Sequence, residues 1–134
     1  MFGGADLDDT WTYHARTNEW KEMRPTRAPS GRQYHAMAYD ERADRVVLFG
    51  GAAGPQGVET PFGDTWMYDL ARNEWTEVRA APAPTMRGWH AMAYDAVLGR
   101  VVLFGGGPHR DGYRAETWVF DTTASSWSQL TTSP

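Results

Sequence analysis

A repeated set of four sequence phrases most constrains how this chain can fold. One set begins at Arg87 and ends at Leu130, and reads RGWHAMAYD, RVVLFGG, ETWVFD and SSWSQL; a similar set spans residues 32–78. The last two phrases occur a third time within residues 9–23, behind a remnant of the second phrase at residues 2–4. Self-similarity of this kind predicts repeated supersecondary units, each of which buries its apolar faces against its neighbours.

The repeat has a period of about 55 residues. His35 and His90 are 55 residues apart, and so are Phe49 and Phe104. A period near 50 residues belongs to the repeat class that builds propeller blades. Tryptophans recur in pairs nine residues apart, namely Trp11 and Trp20, Trp66 and Trp75, and Trp118 and Trp127.

Each complete unit predicts four antiparallel strands. The run Val46 to Phe49 is apolar on both faces, which indicates a strand covered on both sides. Asp44 and Asn73 lie at predicted hairpin turns, and both residue types tolerate the left-handed backbone that tight turns use. We therefore predict an all-β fold with eleven or fewer strands and no helix. The strands of the central unit are expected near residues 34–39, 46–49, 65–68 and 75–78.

Glycine pairs follow the second predicted strand of every unit, where the backbone needs freedom or close approach. The pairs are Gly3-Gly4, Gly50-Gly51 and Gly105-Gly106. Together with the phrases, they predict one repeat region over residues 1–134. It comprises a half blade at 1–23 and complete blades at 32–78 and 87–130.

This ordered set of motifs resembles the kelch repeat family. The resemblance rests on the glycine pairs, on an aromatic residue seven positions before a tryptophan, and on an Arg-x-x-His opening such as Arg32 to His35. It implies a β-propeller of four-stranded blades. It also implies a binding face formed by the loops between strands two and three and between strand four and the next strand one.

The number of units departs from the family pattern, because two complete units and a half are too few to close a propeller. The two ends also could not complete each other by exchanging strands, since the half unit lacks its first strand and most of its second. We expect the outer faces to be covered by self-association or by a longer parent chain.

Composition argues against several functional classes. The net charge is −4, so the basic footprint of a nucleic-acid-binding protein is lacking. No apolar run is long enough for a membrane span, and the N-terminal residues do not read as a signal peptide. There are no cysteines, which removes disulfides and thiolate metal sites. We expect no metal and no cofactor.

His35 and His90 occupy the same repeat position, which favours a structural role such as a buried hydrogen bond near the start of a strand. A metal site would need several convergent donors. His109, Arg110 and Asp111 lie in a variable connection that could contribute a weak metal or ligand contact, although a solvated loop is favoured.

Acidic residues precede Thr-Trp in each unit, at Asp9, Asp64 and Glu116. Their recurrence suggests that they cap a turn. No nucleophile elbow or phosphate-binding loop is present. We therefore predict a non-catalytic interaction module. Two alternatives stay open: part of a kelch-fold enzyme acting on a carbohydrate, and a purely structural repeat.

The expected binding face is carried by arginine and aromatic residues in the loops, because these types commonly anchor protein interfaces. Tyr34 and Trp89 could equally pack on the neighbouring blade. The expected partner is a protein or peptide that presents carboxylates. The predicted binding residues are Arg27, Arg32, Tyr34, Phe62, Arg79, Arg87, Trp89, Arg110 and Tyr113.

Overall fold

The computed structural model describes residues 1–56, 58–108 and 112–131, and its regular structure consists of β-strands. Three strands form the first sheet, in the order β1-β2-β3. The second sheet has the order β4-β5-β8-β9 and the third the order β10-β11-β12-β13. The strands are β1 (Phe2–Gly4), β2 (Leu7–His14), β3 (Glu19–Met23), β4 (Ala36–Asp40), β5 (Arg45–Phe49), β6 (Ala52–Ala53), β7 (Thr60–Pro61), β8 (Thr65–Asp69), β9 (Glu74–Val78), β10 (Gly88–Asp95), β11 (Arg100–Gly107), β12 (Thr117–Asp121) and β13 (Ser126–Leu130).

All strand pairings are antiparallel, and the described residues contain no helix, which confirms the predicted all-β class. The predicted limit of eleven strands is wrong. The two additional strands are β6 and β7, a short ribbon inside the connection between β5 and β8. They form because this connection folds back on itself, so that Ala52 pairs with Pro61.

The hairpin turns have the left-handed backbone that their residue types predicted. Asp44 has a φ of 54° and Gly99 a φ of 64° at the turns between the first two strands of their sheets. Asn73 has a φ of 53° between β8 and β9. The Tyr68 hydroxyl donates to the Asn73 side chain at 2.8 Å, which joins the strand to its turn.

The hydrophobic core lies between successive sheets. Phe2 of the first sheet packs in one cluster with Leu48, Trp66, Tyr68 and Trp75 of the second sheet. A second cluster joins the opposite face of the second sheet to the third sheet. Its buried members are Ala38, Val47, Phe49, Val78, Val101, Leu103, Trp118, Phe120 and Trp127.

Glycine pairs connect each sheet to the next through the backbone. The Gly4 amide donates to the Arg32 carbonyl at 3.0 Å, and the Gly51 amide donates to the Arg87 carbonyl at 2.9 Å. Gly50 and Gly51 both have positive φ, at 62° and 97°. The backbones approach closely at these points, so the loops between sheets are held at one side of the stack.

Within the part of the chain that the structure describes, there is no helix with the length and apolar character needed to cross a membrane.

Candidate binding surface

The loops that connect one sheet to the next lie against the loops that connect strands within a sheet. We call the edge where these two kinds of loop meet the loop side. Gln33, which precedes β4, forms an antiparallel bridge with Ala52, which follows β5. At the start of the next unit, the Arg87 amide donates to the Phe62 carbonyl of the preceding unit at 3.0 Å. These backbone contacts bring the predicted binding loops together and fix the side chains that they carry.

Tyr34 and Trp89 form a stacked aromatic pair on the loop side. Their ring centroids are 4.3 Å apart and their planes differ by 23°. The Trp89 amide donates to the Tyr34 carbonyl at 3.0 Å, so the two backbones are joined at the same point. Both side chains are half-buried, which leaves part of each ring accessible.

Both members of the pair have a left-handed backbone, with φ of 60° at Tyr34 and 56° at Trp89. A bulky residue rarely adopts this conformation, and such strain persists only where the surrounding structure imposes it. Gly88 permits the close approach, because a Cβ there would lie 3.2 Å from the Cβ of Tyr34. The repeat thus holds an aromatic ring in an unusual conformation in two successive units.

Trp89 also borders a small cavity on the loop side, with a volume of about 100 Å³. Among the described residues, Pro108, Gly112 and Tyr113 also line it. Tyr113 is 82% exposed. We call Tyr34, Trp89 and Tyr113 the aromatic cluster; it combines exposed ring surface with a concave space of side-chain size.

Arg32 and Arg87 do not belong to the exposed surface, because both are fully buried. The Arg32 guanidinium donates to both carboxylate oxygens of Asp64, at 2.6 and 2.8 Å, and to the Gly50 carbonyl at 2.9 Å. The Arg87 guanidinium donates to Glu116 at 2.7 Å and to the Gly105 carbonyl at 3.0 Å. These contacts correct the prediction that the two arginines are exposed anchors for a partner.

Each carboxylate in these ion pairs also accepts a hydrogen bond from an indole. Trp66 donates to Asp64 at 2.7 Å, and Trp118 donates to Glu116 at 3.2 Å. These contacts explain why an acidic residue recurs two positions before tryptophan, and they replace the predicted turn-capping role.

The electrostatics of the two pairs agree with their geometry. Burial raises the pKa of Asp64, but the hydrogen bonds from Arg32 and its positive charge outweigh this effect, so the pKa lies below its usual value. The hydrogen bond from Arg87 holds the pKa of Glu116 below its usual value. Both carboxylates are therefore ionised partners of a buried guanidinium.

Two further predicted arginines, Arg27 and Arg79, lie in the loops that connect one sheet to the next, and both contact Glu77. Arg27 donates to Glu77 at 2.7 Å, and its guanidinium lies 4.9 Å from the ring centroid of Trp66. Arg79 is largely exposed, with its guanidinium 3.9 Å from the same Glu77 carboxylate. Two arginines therefore share one glutamate, which leaves an excess of positive charge.

Two further predicted binding residues have different outcomes. Phe62 lies beneath a buried guanidinium, with the Cζ of Arg32 4.2 Å from its ring centroid, so it supports the Arg32 network. Arg110 and the neighbouring His109 and Asp111 lie outside the described residues.

His35 and His90 pack on aromatic rings of the preceding sheet. His90 meets Phe49 edge-on at a centroid distance of 5.5 Å, and His35 meets Phe2 at 5.8 Å. The backbone of Phe49 and Gly88 lies close enough to the His90 ring to oppose the lowering of its pKa. Neither ring nitrogen has a partner with full hydrogen-bond geometry, however, so the predicted buried hydrogen bond is not formed by this residue. Burial lowers the pKa of His90 to about 4, assisted by the charge of Arg87, and the imidazole packs as a neutral ring.

Sequence reasoning missed part of this surface. Pro108 and Gly112, which complete the cavity beside Trp89, lie in a variable connection that the repeat pattern does not describe. The Arg–carboxylate pairs were detectable in principle. An arginine opens each complete unit and an acidic residue precedes its Thr-Trp, so both partners recur together.

Among the described residues, no group of three or more His, Asp or Glu side chains is placed to hold a metal.

Successive four-stranded antiparallel sheets, packed face to face and joined by loops on one side, define the blade class of repeat proteins. The sequence model of the KLHDC2/KLHL20/DRC7 Kelch-repeats domain matches residues 1–134. The chain therefore belongs to the kelch-repeat family.

The chain is also similar in sequence to several curated proteins, and it matches only a small part of each. Adagio-like protein 3 of Oryza sativa subsp. japonica is 27% identical over 145 residues, which cover 99% of this chain and 22% of the relative. Kelch domain-containing protein 1 of Mus musculus is 29% identical over 101 residues, or 73% of this chain and 22% of the relative. Multiple epidermal growth factor-like domains protein 8 of Homo sapiens is 33% identical over 88 residues, or 61% of this chain and 3% of the relative. The chain spans about a fifth or less of these relatives.

Proposed function

We propose that the chain is a non-catalytic interaction module that binds a protein or peptide on its loop side, through the aromatic cluster. Kelch-repeat domains generally mediate protein–protein interactions, and the family is generally non-catalytic. The observation that carries the finer proposal is the stacked pair of Tyr34 and Trp89. Two bulky residues in a left-handed backbone are a costly arrangement, and strain of this kind is concentrated at binding and active sites.

The chemistry of the aromatic cluster suits a peptide side chain with a flat or ring-shaped apolar surface. Tyrosine and tryptophan present large contact areas with few rotatable bonds, so little conformational entropy is lost on binding. The cavity beside Trp89 has the dimensions of a single side chain rather than of a large ligand. Charged residues around the loop side then select among peptides by charge.

An acidic residue in the partner is favoured by Arg27 and Arg79. Both guanidinium groups are largely exposed, and they share the single carboxylate of Glu77. A carboxylate of the partner would balance the remaining positive charge. Rim charges of this kind tune association and specificity more than they supply affinity.

Selection from a displayed random peptide library, with the folded chain as bait, tests the aromatic cluster. Peptides that are enriched on the wild type are then measured against Tyr34→Gly and Trp89→Gly by fluorescence anisotropy. Glycine removes the ring and relaxes the left-handed backbone, so the fold is retained. We expect each variant to weaken binding by about tenfold, which corresponds to the loss of one aromatic stacking contact.

Tyr39→Ala is the matched control, because Tyr39 is an exposed aromatic residue near the hairpin of β4 and β5, away from the loop side. It should leave peptide affinity unchanged. Equal enrichment on the wild type and on the Tyr34→Gly, Trp89→Gly double variant would contradict the proposal.

The same peptides test the charge preference. In Arg27→Gln and Arg79→Gln, the enrichment of aspartate and glutamate should fall, while binding through the aromatic cluster persists. A library that shows no acidic preference on the wild type would refute the role of the two arginines and leave the aromatic cluster unaffected.

A further inference from the structure

The two interfaces between sheets use the same set of side-chain contacts. At the first interface, Phe2 of the first sheet meets Trp75 of the second sheet edge-on, with a centroid distance of 5.2 Å. The Trp75 indole N–H donates to the Thr10 hydroxyl at 3.0 Å, in a buried position. The earlier sheet thus supplies a phenylalanine and a threonine acceptor, and the later sheet supplies a tryptophan.

The second interface repeats this arrangement closely. Phe49 of the second sheet meets Trp127 of the third sheet edge-on, with a centroid distance of 5.4 Å. The Trp127 indole N–H donates to the Thr65 hydroxyl at 2.9 Å, again in a buried position. At both interfaces, therefore, a tryptophan of the later sheet covers a phenylalanine and a threonine of the earlier sheet.

The outer face of the third sheet repeats the face that the second sheet buries. Phe104 has the strand position of Phe49, but it is 54% exposed whereas Phe49 is fully buried. Phe104 lies opposite Thr117 on the neighbouring strand, as Phe49 lies opposite Thr65. Because side chains alternate along a strand, the same face also carries small and apolar residues. These are Ala91, Ala93, Val102, Val119 and Leu130.

The outer face of the first sheet offers the complementary group. Trp20 has the strand position of Trp75, but it is 54% exposed whereas Trp75 is 6% exposed. The Trp20 ring packs on Tyr13 at a centroid distance of 4.9 Å, the same distance as between Trp75 and Tyr68. Trp20 is therefore already held against its tyrosine in the arrangement that Trp75 has at the buried interface.

We propose that two copies of the chain dock head to tail, the outer face of the first sheet of one copy packing on the outer face of the third sheet of the other. Trp20 of one copy lies edge-on to Phe104 of the other, and its indole N–H donates to the Thr117 hydroxyl. This contact is independent of peptide binding on the loop side, because it uses sheet faces rather than loops.

The second copy is favoured as the occupant because its own exposed residues match both precedents. One face presents Phe104 and Thr117, and the other presents Trp20. In the two interfaces within the chain, a histidine also packs on the phenylalanine, as His35 and His90 do. The described part of the first sheet has no histidine at that position, so docking between copies should be weaker than packing within one copy.

Sedimentation velocity between about 1 and about 500 µM tests the docking, because association rises with concentration by mass action. The wild type should sediment faster as concentration increases. Trp20→Glu and Phe104→Glu each place a charge on one face, so each variant alone should stay monomeric. Mixed in equal amounts, the two variants should form a complex limited to one copy of each, since each retains the face that the other lacks.

Val97→Glu is the control for added charge, because Val97 is 93% exposed at the hairpin of β10 and β11; it should associate like the wild type. Thr117→Val keeps the shape of the face and removes the acceptor, so it should raise the dissociation constant by about fivefold to tenfold. Circular dichroism melts establish that each variant is folded. A wild type that stays monomeric throughout, or a mixture of the two glutamate variants that fails to associate, would overturn the proposal.

Discussion

At the scale of single residues, chemically similar side chains have opposite roles in this protein. Arg32 and Arg87 are buried and bonded to carboxylates within their own sheets, whereas Arg79 is exposed at the loop side. A buried guanidinium is tolerated only where its donors are paired, and each of these two reaches both a carboxylate and a backbone carbonyl. Removing either side chain would take a donor from the Gly50 or Gly105 carbonyl and leave the carboxylate with only its indole hydrogen bond.

Arg32→Ala and Arg87→Ala should therefore each lower the free energy of unfolding by about 3–5 kcal/mol, the usual cost of breaking a buried ion pair by removing one partner. Arg79→Ala is the matched control and should change stability by no more than about 0.5 kcal/mol, as is usual for surface positions. Urea denaturation at neutral pH measures both. If Arg87→Ala unfolds at the same urea concentration as Arg79→Ala, the buried network does not stabilise the fold.

His90 should make stability depend on pH. Its pKa is about 4 in the folded chain, against an ordinary value of 6.5. Below pH 6.5 the unfolded chain binds a proton that the folded chain does not, so stability falls as pH decreases from about 6.5 to about 4. Over that range the loss from His90 is on the order of 3 kcal/mol.

Denaturation curves at pH 8, 6, 5 and 4 test this effect in the wild type and in His90→Phe. The variant keeps an aromatic ring against Phe49 and cannot bind a proton, so its stability should decline less between pH 6.5 and 4. Measurement at pH 8 gives the packing cost of the substitution alone. Parallel pH curves for the two proteins would rule out His90 as the cause.

At the scale of the strand and its turns, a glycine can be required for two separate reasons: a left-handed backbone and close approach of a neighbouring chain segment. The sequence does not distinguish these reasons. Gly50, which follows β5, and Gly105, which lies within β11, have equivalent repeat positions and similar positive φ, at 62° and 73°. A Cβ at Gly50 would overlap the Arg87 carbonyl of the next sheet, whereas a Cβ at Gly105 would lie 3.5 Å from its nearest neighbour, the Arg114 carbonyl. Only Gly50 is thus needed for both backbone conformation and close approach.

Gly50→Ala should consequently destabilise the chain more than Gly105→Ala. Both variants carry the cost of a left-handed backbone, roughly 1–2 kcal/mol, and Gly50→Ala adds displacement of the neighbouring sheet. The two midpoints of urea denaturation give the difference directly. Equal losses would mean that the close contact between sheets relaxes without cost.

At the scale of the whole molecule, stability comes from the faces between sheets rather than from any sheet alone. Phe49 is fully buried between the second and third sheets, in contact with His90 and Trp127. Phe104 has the same place in its own strand but lies on an outer face, where it is 54% exposed. A repeat protein of this kind is stabilised mainly by such nearest-neighbour interfaces.

Phe49→Ala should reduce the free energy of unfolding by about 3–5 kcal/mol, because it leaves a cavity in a packed interface. Phe104→Ala, measured at low micromolar concentration where the chain is expected to be monomeric, should cost about 1 kcal/mol or less. Guanidinium denaturation of both variants provides the comparison. A loss at position 104 as large as that at position 49 would show that the outer face is packed in the isolated chain.

Local sequence patterns were enough to predict the repeat, the main strands of its blades and its turns. Alternation, the apolar runs before the glycine pairs, and turn residues such as Asp44 and Asn73 act over a few neighbouring positions, so they can be recognised without any knowledge of tertiary contacts. They were sufficient to predict an all-β chain of antiparallel units. They also placed Tyr34 and Trp89 at equivalent points on the loop side.

Whether a given copy of a repeated residue is buried or accessible depends on its tertiary contacts. Phe49 and Phe104, or Trp75 and Trp20, have the same local sequence pattern, and they differ because one has a neighbouring sheet and the other does not. In the same way, the fate of Arg32 depends on Asp64, which lies 32 positions further along the chain. Burial and pairing are properties of distant segments brought together, so the stacked rings of Tyr34 and Trp89 and the buried arginines emerged only from the fold.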